Sequence, residues 1–404
     1  SQSLAAVGAT TALIYLFTNL FIGISLGANV LAARYYAAGK HEEMSGTVHT
    51  AMMFALISGI IMIFVGLFFS RLALEIMGTP SDVIDQATLY MRIYFLGMPF
   101  FMLYNYGAAI LRAVGDTKRP LIFLIISGVV NACLNMLLVI VFHLDVAGVA
   151  IATVTSQFIS CVLVIGCLYR TKSSYQLRFS HLKIRKEYLK PICQVGIPAG
   201  IQSTVINFSN ALLQSSVNSF GSTTMAGYTA ANNIFGFLYV TVNAVTQACM
   251  SFTSQNYGVG KWKRMDRVLI DCLILSFVAM MILGNSAYFF GPKLLTIYTS
   301  NSKVIQCGME ILLYTTVTYF LCGFMDLFPG ALRGMGRSGV PMILSIIGTV
   351  GTRIVWIFWI FPNHRSLDIL FISYPASWII TIVLQVICYY FVRKQLYAKM
   401  RAEA

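Results

Sequence analysis

The sequence repeats itself at a constant offset of 221 residues, without a gap, across almost its whole length. Leu111, Arg112, Gly115 and Pro120 return as Leu332, Arg333, Gly336 and Pro341. Tyr36, Gly39, Lys40 and Met44 return as Tyr257, Gly260, Lys261 and Met265. The same register carries Val83, Ile84 and Ser156 onto Val304, Ile305 and Ser377. Matches in loops and spans alike, all in one register, mean a duplicated folding unit. Whatever one half folds into, the other must fold into as well.

Composition places both halves in a bilayer. Of 404 residues, 58% are hydrophobic and 10% charged, and the mean hydropathy is +0.76. A water-soluble core has no room for that much apolar surface. Aromatic residues, at 13%, suit belts at the two interfaces. The cysteines lie mostly inside apolar runs and form no C-x-x-C pair, so they read as small buried hydrophobes. The histidines show no metal-ligand spacing, and no metal is expected.

Apolar segments long enough to cross a core about 30 Å thick fall near 12–37, 45–69, 88–113, 120–142, 147–168, 190–217, 229–257, 267–291, 309–333, 340–361 and 369–392. Backbone polar groups in lipid must be paired within their own segment, so each is a helix. The expected fold is an all-α polytopic membrane protein with two like-oriented helical bundles. One bundle covers 1–170 and the other 190–404, with a basic linker at 171–189. Lys and Arg crowd the loops after odd-numbered spans and the C-terminal tail. The opposite side holds only Arg71, Lys293, Lys303 and Arg365. This bias puts the odd-following loops and the C-terminus in the cytoplasm. The basic run from Arg170 to Lys190 then reads as a topology determinant and not as a nucleic-acid surface. The span at 190–217 has no mate in the first half. An additional N-terminal span of roughly 30–35 residues is therefore expected, giving twelve in the intact protein.

Ionisable groups inside a bilayer are costly enough to need a reason. Asp326 is the only carboxylate deep in a span, seven residues before Arg333. It reads either as a proton- or cation-binding group coupled to substrate release, or as a structural partner for Arg353 or freed backbone groups. Pro329, three residues on, is expected to kink the helix. Arg353 lies near mid-membrane, where it could pair with Asp326, hold an anionic group, or snorkel toward the cytoplasm.

Polar residues mark one helix face in two successive spans. Ser203, Asn207, Asn210, Gln214 and Asn218 follow helical spacing, as do Asn232, Tyr239, Asn243, Gln247 and Ser254. In the first half Asn131 and Asn135 stand one turn apart, and Gln157 follows on the next helix. Such faces either turn to a water-filled cavity or hold helices together. Arg112 and Arg333 sit at cytoplasmic helix ends, each before a glycine stop and a proline restart, as structural residues or gates. The stretch Gly258 to Lys261 lacks the spacing and preceding strand of a phosphate loop. No nucleophile–base constellation is present either, so the chain is not expected to be an enzyme.

With twelve inferred spans and the repeated L-R-[AG]-x-G-x-[ST]-x-x-P loops, the chain resembles the multidrug and toxic compound extrusion (MATE) family. The resemblance extends to LAAVG at 4–8, the Ala-Gly-Lys loop at 38–40, GVAIAT at 148–153 and VGIPA at 195–199. It implies a secondary active multidrug antiporter that exports organic cations and amphipathic drugs in exchange for protons or sodium by alternating access. The resemblance also implies small-molecule substrates, no bound cofactor, a monomer, and the bacterial plasma (inner) membrane. Asp326 falls on the family's acid-bearing tenth span. Family members often carry acids on the first and seventh spans. Here the first is missing and Asn207 and Asn210 stand on the seventh. A related lipid-linked precursor flippase is the first alternative, though among intramembrane cations only Arg34 and Arg353 could serve it. A non-transporting receptor or scaffold is the second.

Overall fold

The structure, a computed structural model, describes residues 2–403, with side chains described outside 1–9, 12 and 399–404. The LAAVG motif at 4–8 therefore lies outside the described side chains. The chain packs as two compact units, Ser1–Gly200 and Ile201–Ala404.

The first unit contains α1 (Gln2–Ala37), α2 (His41–Ile76), α3 (Ile84–Leu96), α4 (Met98–Ala113), α5 (Lys118–Asn135) and α6 (Asp145–Arg170). The division between units falls within α7 (Lys186–Asn218). The second unit continues with α8 (Ser222–Gly258), α9 (Trp262–Phe289), α10 (Gly291–Thr296), α11 (Ser302–Thr316) and α12 (Tyr319–Gly334). It ends with α13 (Gly339–Ser345), α14 (Thr352–Val355) and α15 (Leu367–Glu403). Among the described residues eight helices are long and apolar enough to cross a membrane, and two bent pairs bring the number to ten. The more polar α7, at 33 residues, completes the eleven read from the sequence.

The repeat governs structure down to single turns. α4 and α12 begin and end at positions 221 apart. Gly39 and Gly260 both adopt φ +68°, and Gly115 and Gly336 take φ +89° and +81°. A left-handed turn at these loops favours glycine. In the first unit α1 packs on α2, α3 and α4; in the second α8 packs on α9, α11 and α12. α6 covers α3, α4 and α5 as α15 covers α11, α12 and α13.

Two segments read as single spans are broken. α3 and α4 meet at 47°, and α11 and α12 at 44°. The first break lies at Gly97, where Pro99 opens α4 without a backbone donor. The second lies between Thr316 and Tyr319, well before Pro329, through which α12 runs unbroken. Thr315 and Thr316 hydroxyls each donate to the carbonyl four residues back at 2.6 Å, and Thr318 does the same at 2.7 Å. Three back-bonding threonines within four residues bend the backbone where the proline does not break it.

Close helix crossing needs residues without side chains. Gly23 and Gly27 of α1 face Gly196, Gly200 and Ile192 of α7, and a methyl group added at Gly23, Gly27 or Gly196 would collide with the facing backbone. Both helices thus present a small-xxx-small pair, the pattern that lets membrane helices touch backbone to backbone. The basic linker packs on the same unit. The backbone N–H of Arg178 donates to His49 Nε2 at 3.0 Å, and that of Arg185 to Thr50 Oγ1 at 3.3 Å.

Candidate functional site

The second unit buries a cation at its centre. Arg353, on α14, is 3% exposed. Its Nη1 donates to Asn210 Oδ1 at 2.7 Å and to Ser209 Oγ at 3.5 Å. Its Nε donates to Ser377 Oγ at 3.3 Å, and its guanidinium carbon lies 4.8 Å from the centre of the Tyr374 ring. Tyr374 shares a 2.9 Å hydrogen bond with Tyr228 and packs on Trp378, which meets Tyr319 edge-on. Neutral oxygens and an aromatic face therefore hold a buried charge, with no carboxylate within ion-pair distance among the described residues. Every ion pair among those residues has an exposed partner.

Local helix geometry explains how Arg353 reaches this nest. Its repeat mate Ala132 is exposed on α5. In the second half a π-helical stretch, Ile346–Gly351, precedes α14, and another, Trp356–Ile360, follows it. The first half has ordinary α-helix at the position of the earlier stretch and a π turn only at Met136–Val141. A wide turn holds an extra residue, and one residue rotates a helix by roughly 100°. That rotation turns position 353 inward where position 132 faces out.

Asp326 is half-buried on α12. Among the described residues its carboxylate accepts no hydrogen bond and has no ion-pair partner; its electrostatic neighbours include Arg333, two turns further along the same helix face, and Tyr239 of α8. Asp326 and Arg353 do not pair directly. Cys322, one turn before Asp326, feels both charges, and Thr349, one turn before Arg353, reaches Met325 Sδ at 3.4 Å. The two charges thus occupy neighbouring helices of one bundle. Their repeat mates are the uncharged Asn105 and Ala132. Asn105 folds its amide back onto the Phe101 carbonyl at 2.8 Å.

Arg333 is 9% exposed and donates from Nη2 to Gln202 at 2.7 Å. Its mate Arg112 is half-buried, with Nε buried and unbonded. The polar stripe on α7 divides. Asn210 turns inward to Arg353, while Ser203, Asn207, Gln214 and Asn218 stay on the exposed surface of their unit. On α8, Asn232, Tyr239 and Asn243 are exposed and Gln247 is half-buried, bonded to Asn243 at 3.1 Å. In the first unit Asn135 donates to Asn131 at 3.0 Å, and Asn131 to Ser156 at 3.4 Å, joining α5 to α6. Gln157 sits at the α3–α4 break against Gly97. Sequence reasoning missed Ser209, Ser377, Tyr374, Tyr228 and Gln202. Ser377 was the most legible of these, since it recurs as the mate of Ser156.

A duplicated helical bundle with a broken span in each copy, and charges buried in one copy, defines a polytopic membrane protein of the transporter kind. The chain belongs to the MatE family, whose family model matches residues 1–137 and 198–359. It is 28% identical to the probable multidrug resistance protein YoeA of Bacillus subtilis (strain 168), an alignment covering 98% of this chain and 87% of that protein. The fold is similar to that of a MATE protein solved in a bent conformation. There the TM-score is 0.88 at 20% identity, covering 100% of this chain and 89% of the other. An outward-facing multidrug resistance MATE transporter of the MOP superfamily gives 0.90 at 20% identity, covering 99% and 89%.

Proposed function

We propose that this protein is a secondary active exporter of amphipathic, mostly cationic small molecules. It exchanges them for protons or sodium by alternating access, as a monomer in the bacterial plasma membrane with its odd-following loops and C-terminus in the cytoplasm. Family membership and relatives named for multidrug resistance support the substrate class. The observation that carries the coupling is Asp326, a half-buried carboxylate inside a span with no hydrogen-bond or ion-pair partner among the described residues. An intramembrane acid left open in this way is suited to take up and release a cation during transport. The exposed polar groups of α7 and α8, Asn207, Gln214, Asn232, Tyr239 and Asn243, together with the half-buried Gln247, are proposed to contact substrate. Arg112 and Arg333 serve the cytoplasmic ends of their helices.

The flippase alternative calls for accessible cations to hold a pyrophosphate headgroup. Arg353 is enclosed by its own bundle, which favours the exporter. The deciding experiment is efflux of a fluorescent lipophilic cation from proteoliposomes holding the purified chain, with proton and sodium gradients imposed separately. Gradient-driven efflux supports the proposal; absence of flux under either gradient, with correctly folded protein, removes it.

A further inference from the structure

Ser209, Asn210 and Ser377 come from three segments of sequence, yet their side-chain oxygens surround one buried position inside the second unit, Ser209 and Asn210 at Nη1 and Ser377 at Nε of the guanidinium held there. The π face of Tyr374 closes that point from another side. Neutral oxygens around a buried point, beside an aromatic face, are the ligands a desolvated cation requires. In this chain the point is filled from within, because the guanidinium of Arg353 takes all three oxygens and stacks on the ring. At the repeat-mate positions of Arg353 and Tyr374 the first half has Ala132 and Thr153, and it is the amide of Asn131 that meets Ser156, the mate of Ser377.

The carboxylate in the same unit lacks a ligand shell of its own. Asp326 has no hydrogen-bonding neighbour among the described residues; the groups that feel its charge are Tyr239 on α8, Tyr319 and Cys322 on its own helix, and another fixed guanidinium, Arg333. A sodium ion gives up its hydration only for several oxygens together, and the converging set is already engaged. A proton needs one lone pair of the carboxylate and no shell.

Building on the exporter reading, we infer that Arg353 is a specificity-determining residue. It is the fixed occupant of a cation nest, which bars sodium from the second unit and leaves Asp326 to be neutralised by a proton.

Binding of radiolabelled sodium to the purified full chain tests this without any transported drug. Wild type and Arg353→Lys, which both keep a buried cation, are expected to show no saturable sodium binding. Arg353→Gln, which vacates the nest while keeping an amide there, is expected to gain saturable sodium binding that wild type lacks. In proteoliposomes wild-type efflux is then driven by a pH gradient and is indifferent to sodium. Saturable sodium binding by wild type overturns the inference whether or not the glutamine variant folds. So does a folded, monodisperse Arg353→Gln that binds no more sodium than wild type. Loss of efflux under both gradients removes the exporter reading instead, while the binding result on wild type still decides the role of Arg353.

Discussion

Asp326 and Asn105 occupy the same station of α12 and α4, helices whose ends coincide under the 221-residue repeat. The fold therefore already carries, in its first half, a neutral amide at the position where the second half carries an acid. Asp326→Asn is expected to express and melt like wild type, since Asn105 shows how an amide is satisfied there by the carbonyl four residues back. Gradient-driven efflux by this variant is expected to be abolished. A proteoliposome flux assay beside a thermal melt checks both halves of the prediction, and undiminished flux would take Asp326 out of the coupling.

Asn210 is the shortest contact of Arg353, at 2.7 Å. Asn210→Ala strips a buried charged donor of its acceptor, at a cost of about 1–3 kcal/mol. Asn210→Asp supplies a counter-charge instead and is expected to melt at or above the wild-type temperature. Fluorescence-detected thermal stability in detergent compares the two, and equal destabilisation by both would contradict the contact.

Glycines in this fold fall into two kinds. Gly27→Val and Gly196→Val force side chains into the facing backbone of α7 and α1 and should cost at least about 1–3 kcal/mol of overpacking strain. Gly236→Ala, on α8 with nothing within 4 Å of the added carbon, should be neutral or stabilising by up to about 1 kcal/mol through helix propensity. Yield and melting temperature of the three variants read out the difference.

Asp266 gathers Tyr389, Arg393 and Tyr397, with hydrogen bonds of 2.9–3.0 Å that fix the C-terminal part of α15 to the start of α9. Asp266→Ala leaves those donors unmet and should speed tryptic cleavage near Arg393 and Lys394. A time course by mass spectrometry measures this, with cleavage at Lys261 as internal reference.

The spans and their duplication were legible because a bilayer demands long apolar helices, and because a repeat without gaps preserves register through every loop. The bend at Thr316–Tyr319 was less legible. Pro329 is the obvious breaker, whereas three threonine hydroxyls acting on their own backbone leave no mark in hydropathy. Asn210 illustrates a second difficulty. Its spacing groups it with Asn207 and Gln214 on one stripe, but a stripe is broad, and Arg353 draws one member of it inward. The α1–α7 crossing was readable as Gly23/Gly27 and Gly196/Gly200, two small-residue pairs at equal spacing. Arg353 itself was visible as a buried cation, but its surroundings depend on a wide turn whose position hydrophobic patterning does not reveal.

The π stretch at Ile346–Gly351 makes this helix one residue longer than its direction requires. Deleting a single residue there, such as Ile347, should tighten the turn to ordinary pitch and leave everything beyond it aimed as before. The same deletion inside α12 would swing Asp326 away from its face. A one-residue deletion scan across both helices should therefore find a tolerant window just upstream of the buried cation and none beside the acid. The helix carries spare length in that window that evolution could remove without rebuilding the bundle.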